Sequence, residues 1–241
     1  CQPPSTKAYL NMNLLRKVSI YLTILFLYLK IKPTTITFAR FFIGLFGIGL
    51  IGTGIPSVML TGLLIFQFAY LLDLNDGELF RYQTWKTGKR ESFLKGSFLD
   101  KVFDETFRPL LLIAAGIGYS IYLSNNLYLY LGIAGAILIS LDLLTKLVFR
   151  SVLVFKEQFD YLKEENSDKM QASKLDGVYE LFRINNGFTL YFWFGIFGYL
   201  HYFLIIFTPL LLILNIRTFL SLYKRINEMD KEILKKMYKT K

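Results

Sequence analysis

The stretch that decides the fold runs from Leu71 to Phe107 and reads LLDLNDGELFRYQTWKTGKRESFLKGSFLDKVFDETF. Its four aspartates are Asp73, Asp76, Asp100 and Asp104. An apolar segment, MLTGLLIFQFAY, precedes this stretch, and another, PLLLIAAGIGYSIYL, follows it closely. Two apolar segments therefore carry paired carboxylates on the ends that face each other.

The composition of the whole chain indicates a membrane protein. Of its 241 residues, 54% are hydrophobic and 17% are aromatic, which is unusual for a soluble domain. A spanning helix needs about 20 apolar residues. We therefore expect an all-α integral membrane bundle of six transmembrane helices, at 35–53, 56–78, 99–122, 127–150, 187–201 and 202–222. Because 188–216 is one nearly unbroken apolar run, a five-span layout is the alternative, and the turn at 198–202 is an interpretation.

The charges of the loops alternate along this layout. The predicted loops 52–57, 123–126 and 198–202 carry no Lys or Arg, whereas 81–95, 156–186 and the C-terminal tail each carry five or more. The positive-inside rule then places both termini and the two long loops in the cytoplasm. This arrangement requires an even number of spans, which favours six over five.

The segment before the first predicted span is apolar but interrupted by charge. It reads NMNLLRKVSIYLTILFLYLK and contains Arg16, Lys17 and Lys30. We interpret it as an amphipathic helix at the cytoplasmic interface, with a seventh span as the alternative. The predicted organisation is an N-terminal segment at 1–33, the helical bundle at 34–223 and a basic cytoplasmic tail at 224–241. The chain opens on Cys1 rather than Met, from which we expect a fragment or a processed start.

The net charge of +10 fits a basic membrane rim that meets anionic lipid. We expect no nucleic-acid partner, because the basic residues are spread over separate loops rather than one patch. One cysteine and one histidine exclude an internal disulfide and a Cys- or His-rich metal site.

The four aspartates form two pairs at helical spacing. Asp73 and Asp76 are i, i+3, and Asp100 and Asp104 are i, i+4, so each pair shares a helix face. Two antiparallel helices can bring the pairs to the same depth. Carboxylate oxygens are the ligands that Mg²⁺ or Mn²⁺ prefers, and two such ions can act on one phosphate. The alternative is that all four are solvated residues at helix ends.

Neighbouring residues favour a ligand site. Gly77 allows a ligand to approach the helix backbone. Arg81 lies one turn further on, where it can pair with a phosphate. Gly96 precedes Asp100 by four positions and clears the facing helix surface.

The whole pattern resembles the signature of the CDP-alcohol phosphotransferases, D-x2-D-G-x2-A-R, a spacer, then G-x3-D-x3-D. Phe80 stands where the family has alanine, and the spacer between Arg81 and Gly96 has fourteen residues, a little more than usual. The upstream stretch KPTTITFARF is similar to the family's P-N-x-I-T-x-x-R, with Thr34 in place of asparagine. The matching residues there are Pro33, Ile36, Thr37 and Arg40.

The resemblance implies that an alcohol attacks the phosphorus of a CDP-linked donor, such as CDP-diacylglycerol, and releases CMP. It also implies that Asp73, Asp76 and Asp100 hold Mg²⁺ or Mn²⁺, with Asp104 as general base and as the candidate for a further metal ligand. Thr37, Gly77 and Arg81 are the candidates for holding the nucleotide. The implied setting is phospholipid or glycan-lipid biosynthesis by a homodimer in a bacterial or archaeal inner membrane, with the active site facing the cytoplasm.

The alcohol acceptor has its own candidate residues. Asp142, Lys146 and Arg150 recur at steps of four in the fourth predicted span, and Arg108 follows Asp104 by four. Arg108, Lys146 and Arg150 can bind an anionic acceptor such as a phosphorylated polyol, since charges inside a membrane are candidates for function. The alternative is an Asp142–Lys146 pair and an Arg150 that extends to the interface.

Two other classes of protein remain as hypotheses. An ion-coupled transporter predicts carboxylates spread along a path across the membrane, whereas these cluster at one depth. A non-catalytic scaffold predicts a broken signature, whereas the four aspartates are all present.

Overall fold

The computed structural model describes residues 10–87, 93–159 and 191–239, which form helices joined by short turns, with no strand among them. The helices are α1 Leu10–Tyr28, α2 Pro33–Ile51, α3 Pro56–Thr87, α4 Phe93–Tyr122, α5 Leu127–Phe159 and α6 Leu200–Lys239. Residues 191–196 are also helical, and a turn with Gly198 at φ +75° leads into α6. The all-α fold class is confirmed for this part of the chain.

The helices of this part of the chain are those of a membrane protein. Four of them contain segments long and apolar enough to cross a membrane: Pro33–Ile51, Pro56–Lys86, Leu127–Leu153 and Leu200–Lys231. The helix α4 is not among them, since charged residues interrupt its first half. The start of the predicted fifth span, at 187–190, lies outside the described residues. Four candidate spans are therefore found, and the six-span layout is not confirmed.

The uncharged turns lie where the sequence places them. The helix α2 ends at Ile51 and α3 begins at Pro56, while α4 ends at Tyr122 and α5 begins at Leu127. These ends match the predicted breaks at 52–57 and 123–126.

At the other ends the helices run further than the predicted spans. The helix α3 continues to Thr87 rather than ending at 78, and α4 begins at Phe93 rather than at 99. No glycine or proline between 78 and 87 interrupts the helix, so hydrogen bonding continues past the apolar span. The helix α6 likewise passes through the predicted boundary at 223. Parts of the two long predicted loops, residues 88–92 and 160–186, lie outside the described residues.

Glycines set the spacing within two antiparallel helix pairs, α2 with α3 and α4 with α5. A Cβ atom on Gly62 would lie 2.6 Å from the carbonyl oxygen of Gly47. A Cβ atom on Gly132 would lie 2.6 Å from the carbonyl oxygen of Leu112. The helix backbones approach this closely only because these positions lack side chains, as is common between membrane helices.

The two pairs enclose one main core, and the outer surface is apolar. Leu111 and Ala115 of α4 pack in the core with Ile51 of α2, Leu63 of α3 and Leu204 of α6. Large side chains outside this core are exposed, including Phe42, Phe46, Leu64, Phe68, Ile137, Leu144, Ile206 and Ile213. An apolar outer surface of this extent is suited to contact with lipid.

The helix α1 buries small polar side chains and exposes several large apolar ones. Ser19 and Thr23 of α1 are buried against the protein, while Tyr21, Ile24 and Tyr28 are exposed. The helix packs on α3. Its apolar part, Lys17–Tyr28, is shorter than the candidate spans. Two small polar residues of α1 thus face inward, whereas several of its apolar residues face outward.

Candidate active site

The four aspartates predicted from the sequence meet around one buried arginine. One guanidinium nitrogen of Arg40, Nη1, donates to Asp73 and, at 2.6 Å, to Asp100. The other nitrogen, Nη2, donates to Asp104. The Arg40 side chain is only 2% exposed, whereas those of Asp73, Asp100 and Asp104 are 22%, 42% and 34% exposed. One cation from α2 therefore joins the carboxylates of α3 and α4.

The helix α2 supplies a second polar contact from the same face. Thr37 precedes Arg40 by three residues, and its hydroxyl lies 2.8 Å from Oδ2 of Asp76, to which it can donate. The Phe107 ring lies 5.9 Å from the Arg40 guanidinium carbon and covers it on the side of α4. The fourth aspartate is thus held by a neutral donor rather than by the arginine.

The two aspartate pairs lie at the same depth, as the sequence predicts. Asp73 lies 17 residues after the start of α3 at Pro56, and Asp104 lies 18 residues before the end of α4 at Tyr122. At a rise of 1.5 Å per residue these segments are about 26 and 27 Å long. The turns 52–55 and 123–126 mark the opposite end of the bundle.

The charges around Arg40 do not balance. Four carboxylates at −1 and one guanidinium at +1 leave a formal charge of −3. Partly buried carboxylates without counter-charges are unfavourable, so this arrangement attracts cations.

The donor atoms fit a divalent cation. One carboxylate oxygen from each of Asp73, Asp76 and Asp100 lies within 4.8 Å of the others. Oxygen donors of this kind suit Mg²⁺ or Mn²⁺. Each carboxylate has a second oxygen, so the same groups can bind both Arg40 and a cation. Asp104 is not part of this three-residue group.

The predicted nucleotide residues on α3 lie next to each other. The nearest atoms to a Cβ atom on Gly77 would be those of the Arg81 guanidinium, with Nη1 at 3.5 Å. The Arg81 side chain is exposed. The exposed Arg81 guanidinium is therefore the group nearest to the Gly77 backbone, which lies one residue beyond Asp76. A phosphate could approach this backbone if the Arg81 side chain moved.

No protein-family model matches this chain, and no curated protein matches its sequence. The resemblance to the CDP-alcohol phosphotransferases therefore depends on the motif residues and their arrangement alone.

The predicted acceptor residues have partners of their own. Arg108 donates to Glu105 at 2.7 Å, while its Nε atom is buried and has no hydrogen-bond partner among the described residues. Lys146 pairs with Asp142 on the same helix, and Arg150 is exposed. The ion pair considered as the alternative for Asp142 and Lys146 is thus present. Arg108 follows Asp104 by one helical turn on α4 and lies near enough for the two charges to interact.

Arg40 matches the upstream motif, but the sequence alone indicated no role for it. A signal was available, because Arg40 is a charged residue inside a helix long and apolar enough to span a membrane. Such residues are functional candidates by default.

Proposed function

We propose that the chain is a metal-dependent membrane transferase that moves a substituted phosphate from a CDP-linked donor to an alcohol and releases CMP. The observation that supports this most strongly is the convergence of Asp73, Asp76, Asp100 and Asp104 on one site, with an excess of three negative charges. The motif resemblance supports the identity of the donor.

The proposal includes a membrane layout. It has six spans, α1 at the cytoplasmic interface and the aspartates at the cytoplasmic side of a bacterial or archaeal inner membrane. The alternation of loops with and without Lys and Arg supports this orientation. A homodimer is part of the proposal on the resemblance alone.

A lipid-linked donor, of which CDP-diacylglycerol is the example, would find an apolar groove on the outward face of α2 and α3, which begins within two helical turns of the site along these helices. A groove of about 610 Å³ between α2 and α3 is lined by apolar side chains that include Phe42, Phe46 and Phe68. Phe42 lies two residues after Arg40, and Phe68 lies five residues before Asp73. A donor with its phosphates at the aspartates would have an apolar surface next to its acyl chains, as phospholipid or glycan-lipid biosynthesis requires.

In the proposed step, the acceptor oxygen forms a bond to the donor phosphorus, and the bond from that phosphorus to the CMP oxygen breaks. Asp104 takes the proton of the attacking hydroxyl. Its side chain is 34% exposed, so an acceptor can reach it. Thr37, Gly77 and Arg81 hold the nucleotide, and Arg108, with Lys146 and Arg150 nearby on α5, attracts an anionic acceptor.

Asp73, Asp76 and Asp100 would hold Mg²⁺ or Mn²⁺, with Asp104 as a possible further ligand. A bound divalent cation would neutralise the diphosphate and stabilise charge on the leaving group. The role of Arg40 is to hold the carboxylates of α3 and α4 together.

The first test measures CMP release by the purified chain from a CDP-linked lipid, with glycerol 3-phosphate, inositol phosphate and serine as acceptors. Asp104→Asn keeps the shape of the side chain and removes its basicity. We expect turnover to fall about 10²–10⁴-fold, as for the loss of a general base, with donor affinity retained. The matched control is Asp230→Asn, an exposed carboxylate on α6, which should leave turnover unchanged.

Equal loss of donor affinity in Asp104→Asn and Asp73→Asn would make Asp104 a metal ligand and overturn its role as base. Full turnover in the presence of a metal chelator would overturn the proposal that the reaction depends on a metal ion. Cation flux into vesicles without CMP release would instead favour a transporter, and neither activity would favour a scaffold.

A further inference from the structure

The helix that carries Asp73 and Asp76 has a second polar pair on its back. Asn75 and Glu78 are also i, i+3 on α3, and they are 0% and 8% exposed. At 100° per residue their face lies about 200° from that of the aspartates. The front of α3 therefore contacts α2 and α4 through Asp73 and Asp76, and its back carries buried polar groups that need other partners.

Those partners come from α1. Oγ1 of Thr23 lies 2.8 Å from Oε2 of Glu78 and 3.0 Å from Oδ1 of Asn75. A hydroxyl has one proton, so Thr23 can donate to only one acceptor at a time. If the Asn75 amide turns so that Nδ2 faces Thr23, both contacts become hydrogen bonds, with Thr23 donating to Glu78. This orientation also gives a partner to Nδ2, which otherwise has none within 10–87, 93–159 and 191–239.

Apolar packing places the C-terminal end of α1 against residues of α2 and α3. Phe26, Leu27 and Ile31, at and just after the end of α1, pack on a small cluster of Ile36 from α2 with Leu72 and Leu79 from α3. Leu72 precedes Asp73 directly, and Ile36 precedes Thr37. These apolar contacts and the close packing of α3 on α2 hold α3 in place, and the hydrogen bonding to Thr23 adds a directional constraint on the rotation of α3 beside the aspartates.

We infer that Thr23 is a positioning residue for the candidate metal site: its hydrogen bonding to Asn75 and Glu78 sets the rotation of α3 and so holds Asp73 and Asp76 towards Asp100. The inference depends on the proposed function for the presence of a cation. Thr23 does not touch the aspartates and acts through the rigid helix.

The test measures binding of Mn²⁺ alone to the purified full chain, from the loss of the electron paramagnetic resonance signal of free Mn²⁺. Thr23→Val removes the hydroxyl and keeps the shape. We expect its Mn²⁺ affinity to fall about three- to tenfold, the range for one net hydrogen bond. Thr23→Ser, which keeps the hydroxyl, should restore wild-type affinity.

Thr208→Val is the matched control for a purely structural effect. Thr208 is also buried, and its hydroxyl lies 3.2 Å from the carbonyl oxygen of Leu131 on a neighbouring helix, so it too joins two helices. We expect Thr208→Val to lower the thermal midpoint about as much as Thr23→Val and to keep wild-type Mn²⁺ affinity.

Wild-type Mn²⁺ affinity in Thr23→Val would overturn the inference, and so would an equal loss of affinity in Thr208→Val. Mn²⁺ binding without CMP release from any donor would count against the proposed reaction and leave the test of Thr23 intact. A wild-type chain that binds no Mn²⁺ would overturn both.

Discussion

The two ends of α2, α3 and α4 are joined by different chemistry. At the end with the turns 52–55 and 123–126, backbones touch: a Cβ atom on Gly118 of α4 would overlap the carbonyl oxygen of Ile51 at the end of α2. At the other end the same helices meet through Arg40 and three carboxylates. One end is closed by the absence of side chains and the other by long charged side chains.

The difference indicates where a ligand can bind. Backbones in van der Waals contact leave no space between helices and no unused polar groups. Carboxylates have further lone pairs after Arg40 has bound, and they keep a net negative charge. The end with the close backbone contact at Gly118, here called the glycine end, therefore fixes the bundle. The end with Arg40 and the aspartates, here called the charged end, can accept a cation without separation of the helices.

The largest expected effect comes from breaking the charged end. Arg40→Leu removes the cation and leaves Asp73, Asp100 and Asp104 facing one another. Loss of one partner from a buried ion pair costs about 3–5 kcal/mol, and we expect the free energy of unfolding to fall by that amount. An SDS titration of the chain in mixed micelles measures it. Raised Mg²⁺ should recover part of the loss, because it supplies the missing positive charge.

Arg225→Leu is the control for this substitution. Arg225 is exposed on α6 and lies over the Phe149 ring at 5.7 Å. Its loss should change the free energy of unfolding by less than about 1 kcal/mol, with no response to Mg²⁺. Equal effects of the two substitutions would show that Arg40 does not hold the site together.

The next effect comes from breaking the glycine end. Gly118→Ala forces the backbones of α2 and α4 apart, and overpacking of this kind costs about 1–3 kcal/mol. Gly49→Ala is the matched control, because no atom lies within 4 Å of a Cβ atom there. It should be neutral or stabilising by up to about 1 kcal/mol. Loss of Mn²⁺ affinity in Gly118→Ala at temperatures where the chain stays folded would contradict the separation of the two ends.

The smallest effect is expected at the Asp142–Lys146 pair. The side chains of Lys146 and Asp142 are 35% and 19% exposed, so Lys146→Ala should cost less than about 1 kcal/mol in stability. If the acceptor is anionic, the substitution should raise the KM for the acceptor and leave the KM for the donor unchanged. Lys224→Ala, at an exposed position on α6, should change neither. Unchanged KM values in both variants would show that Lys146 is not part of the acceptor site.

The sequence predicted those parts of the fold that depend on local signals. Uncharged turns with Gly54 and Pro56, or with Asn125 and Asn126, break the helices where expected. The depth of the aspartates follows from counting residues back from those turns, so their meeting could also be predicted.

The remaining features depend on contacts between helices. Nothing local distinguishes a basic loop from a basic helix when no glycine or proline intervenes, so α3 and α6 extend past their predicted spans. The inward position of Thr23 depends on Asn75 and Glu78, more than fifty residues away. The contact of Arg40 with Asp73, Asp100 and Asp104 likewise requires three helices at once, which periodicity within one helix does not reveal.

The position of Asp73 has a consequence for the lipid itself. The segment of α3 from Pro56 to Asp73 is about 26 Å long, slightly less than the roughly 30 Å hydrocarbon thickness of a typical bilayer. With Pro56 at the opposite boundary of a membrane of that thickness, the carboxylates would lie near the boundary between hydrocarbon and headgroups. A thicker bilayer would cover them with acyl chains, and hydrophobic mismatch costs fractions of a kcal/mol per Å. Longer acyl chains in the surrounding membrane would thus reduce the access of water to the site, and shorter chains would increase it.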